Sequence, residues 1–200
     1  MEYSTIEELI NLASESEMTV SEVVIQSEIE ESEKNRDEIV DRMRETFEVM
    51  KEAVEEGKNK QEKSPSGLSG GDAYKLSHFD DFLGNNIYKK VMTYAVATSE
   101  VNASMGKIVA GPTAGSSGIV PAVLLAVGEK IKADDEDIVK ALFTASGLGM
   151  VVSKKATLAG AAGGCQAECG VGSAMAAGAA VELAGGKPEM VGNAFALALK

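Results

Sequence analysis

The 200-residue chain contains no tryptophan, a single histidine and only two cysteines. A disulfide scaffold and a His-rich metal site are therefore excluded, and any Ser-His-Asp arrangement would have to use His78. Basic charge is also scarce: 31 acidic against 19 basic residues leave a net charge of −12 and a pI near 4.6. That sign disfavours nucleic acid and anionic membrane as partners. The opening MEYSTIEELI has neither the basic flank nor the apolar run of a signal peptide, so the expected location is cytoplasmic. No run of about 20 residues is apolar enough to predict a membrane span. The longest candidate, 156–186, is interrupted by Gln166, Glu168 and Glu182, and reads as close-packed protein interior. Sustained period-two alternation is missing as well, which leaves an all-α fold.

What is present is unevenly distributed. Residues 1–63 hold 19 acids and 8 bases, whereas 64–200 hold 12 and 11, and 16 of the 21 glycines follow residue 100. The division expected is an acidic helical N-terminal region, 1–63, followed by a compact Gly/Ala-rich helical domain, 64–200.

Ser4 and Glu7 have the spacing of a capping box ahead of Ile6, Leu9, Ile10 and Ala13, and Thr19 with Glu22 repeats it. Ile39, Val40, Met43, Phe47, Met50 and Val54 form one apolar stripe, predicting a long helix that packs on its own domain. The run 56–71, EGKNKQEKSPSGLSGG, can bury little and predicts a mobile linker or surface loop. A helix over 86–105 would turn Ile87, Val91, Met92 and Ala95 inward. Pro121 suits the first turn of the next helix, and Asp134 with Asp137 opens another. Gly185 and Gly186 mark a helix end, and a last helix starts near Pro188. Because that helix stops at Lys200 without a cap, the chain is expected to be a fragment of a longer polypeptide.

Two stretches could carry chemistry. In 111–118, GPTAGSSG, glycines permit unusual backbone angles while hydroxyls and N–H groups can converge on an anion ahead of a helix. No lysine follows the closing glycine, so this is not a Walker A loop, and a carboxylate suits it better than a triphosphate. A tight interhelical turn capped by Ser and Thr fits the same residues. The tripeptide Gly147-Leu148-Gly149 lacks the third glycine and preceding strand of a dinucleotide fingerprint. The second stretch, 163–170, carries Cys165 and Cys169, either thiolate ligands for soft metals or two small apolar core residues. Two thiols cannot by themselves complete a zinc or iron–sulfur site. His78, beside Phe79, Asp80 and Asp81, is expected at the surface. Acid–base work would fall to Glu100, Glu168, Lys107, Lys154 or Lys155, to a thiol, or to a partner chain.

Taken together, SGLSGGD at 66–72, EVNASMGKIVAGPTAGSSGIVP at 100–121, LFTASGLG at 142–149 and the stretch 160–186 resemble the α chain of iron–sulfur-dependent L-serine dehydratase. The resemblance covers almost all of the chain after the linker, in the family's order. It implies an all-helical catalytic subunit that pairs with a β chain, carries a 4Fe-4S cluster with one iron open to substrate, and deaminates L-serine in amino-acid degradation and gluconeogenesis. By the same resemblance, Cys165 matches the first of three cluster cysteines, with the other two expected beyond Lys200. On that reading the 111–118 loop would supply donors to the substrate carboxylate, with Thr113, Gly115, Ser116 and Ser117 as the residues expected to bind it, and no residue is assigned as general base. Departures from the family pattern are Ser117 for a frequent Cys, Ala162 for a usual Glu, Lys155 for Asn and Cys169 for Val. Two alternatives remain at this point: a cysteine desulfidase-like lyase on the same scaffold, and a non-catalytic helical partner protein.

Overall fold

The computed structural model of the chain describes residues 1–79 and 86–200 and is all-α, with no strand among the described residues. Helices α1 (Ile6–Glu15), α2 (Val20–Ser32) and α3 (Arg36–Asn59) form the acidic region. They are followed by α4 (Asp72–His78), α5 (Asn86–Ala103), a 3-10 turn (Ala114–Ser116), α6 (Ile119–Ile131) and α7 (Asp135–Lys155). The chain then makes α8 (Gly160–Cys165), a π-turn (Gln166–Gly170), α9 (Val171–Leu183) and α10 (Pro188–Leu199).

Local chemistry sets the helix starts. The capping box of α1 sits one residue later than the Ser4–Glu7 spacing predicts: Thr5 is the N-cap and Glu8 closes the box, each bond 3.1 Å. The reason is that Glu8 also accepts from the Ser4 N–H at 2.7 Å and its hydroxyl at 2.9 Å, so Ser4 is held by the box instead of making it. Those bonds, Ser4's backbone first, pull the Glu8 carboxyl below its ordinary value. Thr19 caps α2 as expected, while Glu22 turns to pair with Arg36 at 2.7 Å. Asp134 and Asp137 form the full box of α7, Gly185 at φ +83° closes α9, and Pro188 stands in the first turn of α10.

Helices α7 and α9 lie at the centre, with α2 and α3 on α7 and with α6 and α10 on α9. Residues of both charge regions meet in that core: Leu9, Val20 and Phe47 join Leu142, Leu148 and Val191. Small residues make the close approach possible. Gly147 and Gly149 are buried within α7, where β-carbons would meet the side chains of Val24 and Met175, so this step serves helix packing.

Three expectations need correction. Met92 is 55% exposed, whereas Ile87, Val91 and Ala95 pack partly buried against Val54, Tyr94, Ala122 and Ala126 as expected, and the fully buried positions of α5 include Thr93, Tyr94, Ala97, Thr98 and Val101. At Gly57 the backbone of α3 comes so near the Ala97 carbonyl that a β-carbon would overlap it. The 56–71 run is more anchored than its composition suggests: α3 continues to Asn59, and Ser64 is buried with its N–H donating to Ser69 O at 2.8 Å. The buried Glu100 then accepts the N–H groups of Asp72 at 2.8 Å and Ala73 at 3.4 Å, fixing the start of α4. Lastly, among the described residues one run, Ala114–Ile131, is long and apolar enough by composition to cross a membrane, with mean hydropathy 1.3. It begins in the 3-10 turn, and half of it is buried in the protein. His78 is exposed and stacked on Tyr74, while Asp80 and Asp81 lie outside the described residues.

Candidate active site

The 111–118 loop joins the end of α5 to the start of α6 and is held from both sides. Asn102 of α5 donates its amide to Ala114 O at 3.2 Å, and Gly111 N–H donates to Thr113 O at 3.1 Å. Gly118 lets α6 begin directly against Ala95, since a β-carbon there would crowd the Ala95 carbonyl. Within the loop, Thr113 N–H donates to Ser116 Oγ at 3.3 Å and the two hydroxyl oxygens lie 3.2 Å apart. Ala114 and Gly115 are exposed at the first positions of the turn, where N–H groups have no partner within the turn. Ser116 and Ser117 are buried, and Ser117 Oγ has no hydrogen-bond partner, an arrangement that costs folding free energy unless something else supplies one.

The second stretch reaches this loop through a backbone irregularity. Gly164 takes φ 71° and ψ −170°, breaking α8, and the chain then winds once in a π-turn before α9. Such turns insert a residue into the helical repeat and recur at functional sites. Here the turn buries Ala167, leaves Cys165 exposed and Cys169 half-buried, and directs Glu168 at the loop. The Thr113 hydroxyl donates to Glu168 Oε1 at 2.6 Å. Two glycines make room for the carboxylate: a β-carbon on Gly115 would lie 3.2 Å from Oε1, and one on Gly160 would overlap Oε2.

Thr113, Gly115, Ser116 and the Cys165 turn are therefore brought together, with Glu168 as the link. Sequence reasoning named Glu168 only among possible acids and bases. The available signal was its place three residues after Cys165, but the π-turn that sets its direction has no motif of its own. The other acid–base candidates are elsewhere or otherwise engaged: Glu100 caps α4, Lys107 is exposed, and Lys154 lies over the Tyr3 ring. Lys155 is exposed at the end of α7 and contributes to the field at Glu8, and Ala162 is exposed on α8.

Burial pushes the Cys169 thiol above its ordinary pKa, and the neighbouring Cys165 thiol and Glu168 add to it. The donors suit a soft metal in kind, since both thiols are free and Cys165 faces solvent. They fall short in number: among the described residues no three His, Cys, Asp or Glu side chains cluster so as to hold a metal ion. The described residues by themselves therefore do not complete a metal or cluster site.

An open apolar groove of about 410 Å³ adjoins the loop, lined by Met43, Met50, Gly111, Pro112, Leu142 and Met175. A larger cleft of about 580 Å³ lies beside Tyr3, Glu8, Glu30 and Glu31, and its acidic lining is unsuited to a carboxylate.

Comparison with known proteins bears on the same residues. The family model described as serine dehydratase alpha chain matches residues 15–200. The "Probable L-serine dehydratase, alpha chain" of Bacillus subtilis is 44% identical over 201 residues, covering 99% of this chain and 67% of that protein. The "L-serine dehydratase, alpha chain" of Peptoniphilus asaccharolyticus is 39% identical, with 98% and 68% covered. The "L-serine dehydratase" of Streptomyces coelicolor is 34% identical, covering 99% of this chain and 44% of its own length.

Proposed function

Because the chain belongs to the serine dehydratase alpha-chain family, we propose that it is the catalytic subunit of an L-serine ammonia-lyase that works in the cytoplasm with a β chain. The observation that carries this reading is the 2.6 Å bond from Thr113 to Glu168, which joins the hydroxyl-rich loop to the Cys165 turn. The names of the relatives favour serine chemistry over a cysteine desulfidase or a non-catalytic partner.

Deamination of L-serine removes a weakly acidic Cα proton and expels the β-hydroxyl. The resulting aminoacrylate becomes an imine and hydrolyses to pyruvate and ammonia. A bound 4Fe-4S cluster, with Cys165 as one ligand, would supply a Lewis acid for the substrate oxygens and remove the need for pyridoxal phosphate. The chain's own residues bind and orient. The substrate carboxylate meets the exposed turn at Ala114 and Gly115, where partnerless N–H groups favour an anion. Thr113 and Ser116 brace that turn through their mutual bonds, and Ser117 Oγ is a donor still lacking an acceptor.

The test is to produce the α chain with its β chain without oxygen and to assay pyruvate from L-serine and from L-cysteine. Expected are turnover of serine in excess of cysteine without added pyridoxal phosphate, and absorbance near about 400 nm after iron–sulfide reconstitution. Cys165→Ser should lose both activity and colour. Unchanged activity in that variant would remove Cys165 from the site, and a colourless, inactive wild-type complex would refute the iron–sulfur lyase.

A further inference from the structure

Resting on the reading of this site as one for an amino acid, we propose that Glu168 binds the substrate's α-ammonium group and thereby selects amino acids over hydroxy acids. A zwitterionic substrate presents its cation one carbon away from the carboxylate that the loop receives. A site built only from hydroxyls and N–H groups would leave that cation unpaired. Glu168 is the carboxylate already joined to the loop, through Oε1 and Thr113. Its Oε2 lies against Gly160 and has no hydrogen-bond or ion-pair partner among the described residues. It is half-buried, so an incoming cation there is less screened by water than at an exposed carboxylate.

The geometry also explains why two glycines flank one side chain. A residue with a β-carbon at Gly160 would displace Oε2, and one at Gly115 would press on Oε1 at 3.2 Å. Gly115 is exposed in the loop, and Gly160 is half-buried at the start of α8. Charge-assisted hydrogen bonds are the strong ones, and an amino acid between Glu168 and the turn would make them with its ammonium at Glu168 and with its carboxylate at the turn's N–H groups.

The experiment uses the complex with its β chain and compares L-serine with 3-hydroxypropanoate, the same molecule without the amino group. Dissociation constants are read by calorimetry and, for turnover, 3-hydroxypropanoate serves as competitive inhibitor. Wild type should bind L-serine at least about 10-fold more tightly than the analogue, and Glu168→Gln should erase about 10- to 100-fold of that preference. Glutamine keeps an oxygen to accept from Thr113, so the loop should stay in place. Gly160→Ala offers a second variant: it shifts the carboxylate without removing its charge and should reduce the same ratio.

An unchanged serine-to-analogue ratio in Glu168→Gln overturns the assignment even if serine is deaminated normally. So does a loss confined to kcat, which would make Glu168 a proton carrier. A wild-type complex that fails to distinguish the two ligands overturns it as well. If the preference exists and Glu168→Gln removes it while no pyruvate forms, the lyase reading fails and the ammonium assignment stands.

Discussion

Tyr3 and Glu100 are both buried polar residues, but only one of them has partners. The Tyr3 hydroxyl bonds to nothing, and burial, helped by Glu28 and Glu31, pushes its pKa up to about 12. Tyr3→Phe should therefore leave stability unchanged or raise it by up to about 1 kcal/mol, read from the urea midpoint. Glu100→Ala should do the opposite, lowering stability by about 2–3 kcal/mol, because it strands the N–H groups of Asp72 and Ala73. At this scale the sequence was legible where a motif is local. Thr19, Asp134 and Gly185 do what their spacing predicts. Bonds such as Thr113 to Glu168, 55 residues apart, depend on tertiary placement and leave no local pattern.

The seam between α3 and α5 shows how an element-level reading can be right in kind and wrong at a single residue. The helix expected over 86–105 is found as Asn86–Ala103 with Ile87, Val91 and Ala95 packed inward, yet Met92 points out, and Gly57 brings the backbones of α3 and α5 together at Ala97. Gly57→Ala gains about 1 kcal/mol of helix propensity but collides with the Ala97 carbonyl. The net expectation is a loss of about 1–3 kcal/mol, seen as a lower Tm. Helices α3 and α7 are also tied by the paired bonds of Arg44 to Glu136, at 2.6 and 2.8 Å. Hydrogen bonding to Arg44 holds the Glu136 carboxyl below its ordinary value of 4.5. A carboxyl whose folded pKa is depressed stabilises the fold above its unfolded pKa, and that contribution fades as pH falls through the lower folded value. In Glu136→Gln the loss of stability between pH 6 and pH 3 should be smaller than in wild type, as measured by urea unfolding at both values.

For the whole molecule the dominant fact is the charge of −12, with most of it on the first 63 residues. Exposed pairs such as Lys51–Asp135 and Arg36–Glu22 offset it only slightly. Raising sodium chloride from about 10 to about 150 mM shortens the screening length from about 30 to about 8 Å, so Tm should rise over that interval. A fall would mean that the ion pairs outweigh the repulsion. The all-α class was legible from periodicity, and the joining of the acidic helices to the glycine-rich core was not, since it rests on long-range contacts. The plainest of these is Glu182 in α9, which accepts the N–H groups of Val20 at 2.9 Å and Ser21 at 3.1 Å, and the Thr144 hydroxyl at 2.8 Å. Its place in the chain sets a timetable for synthesis. The first turn of α2 emerges early from the ribosome, but the carboxylate that completes it follows 162 residues later, about 8–30 s at ordinary elongation rates. Through that interval the nascent acidic helices wait with their final partner still unmade.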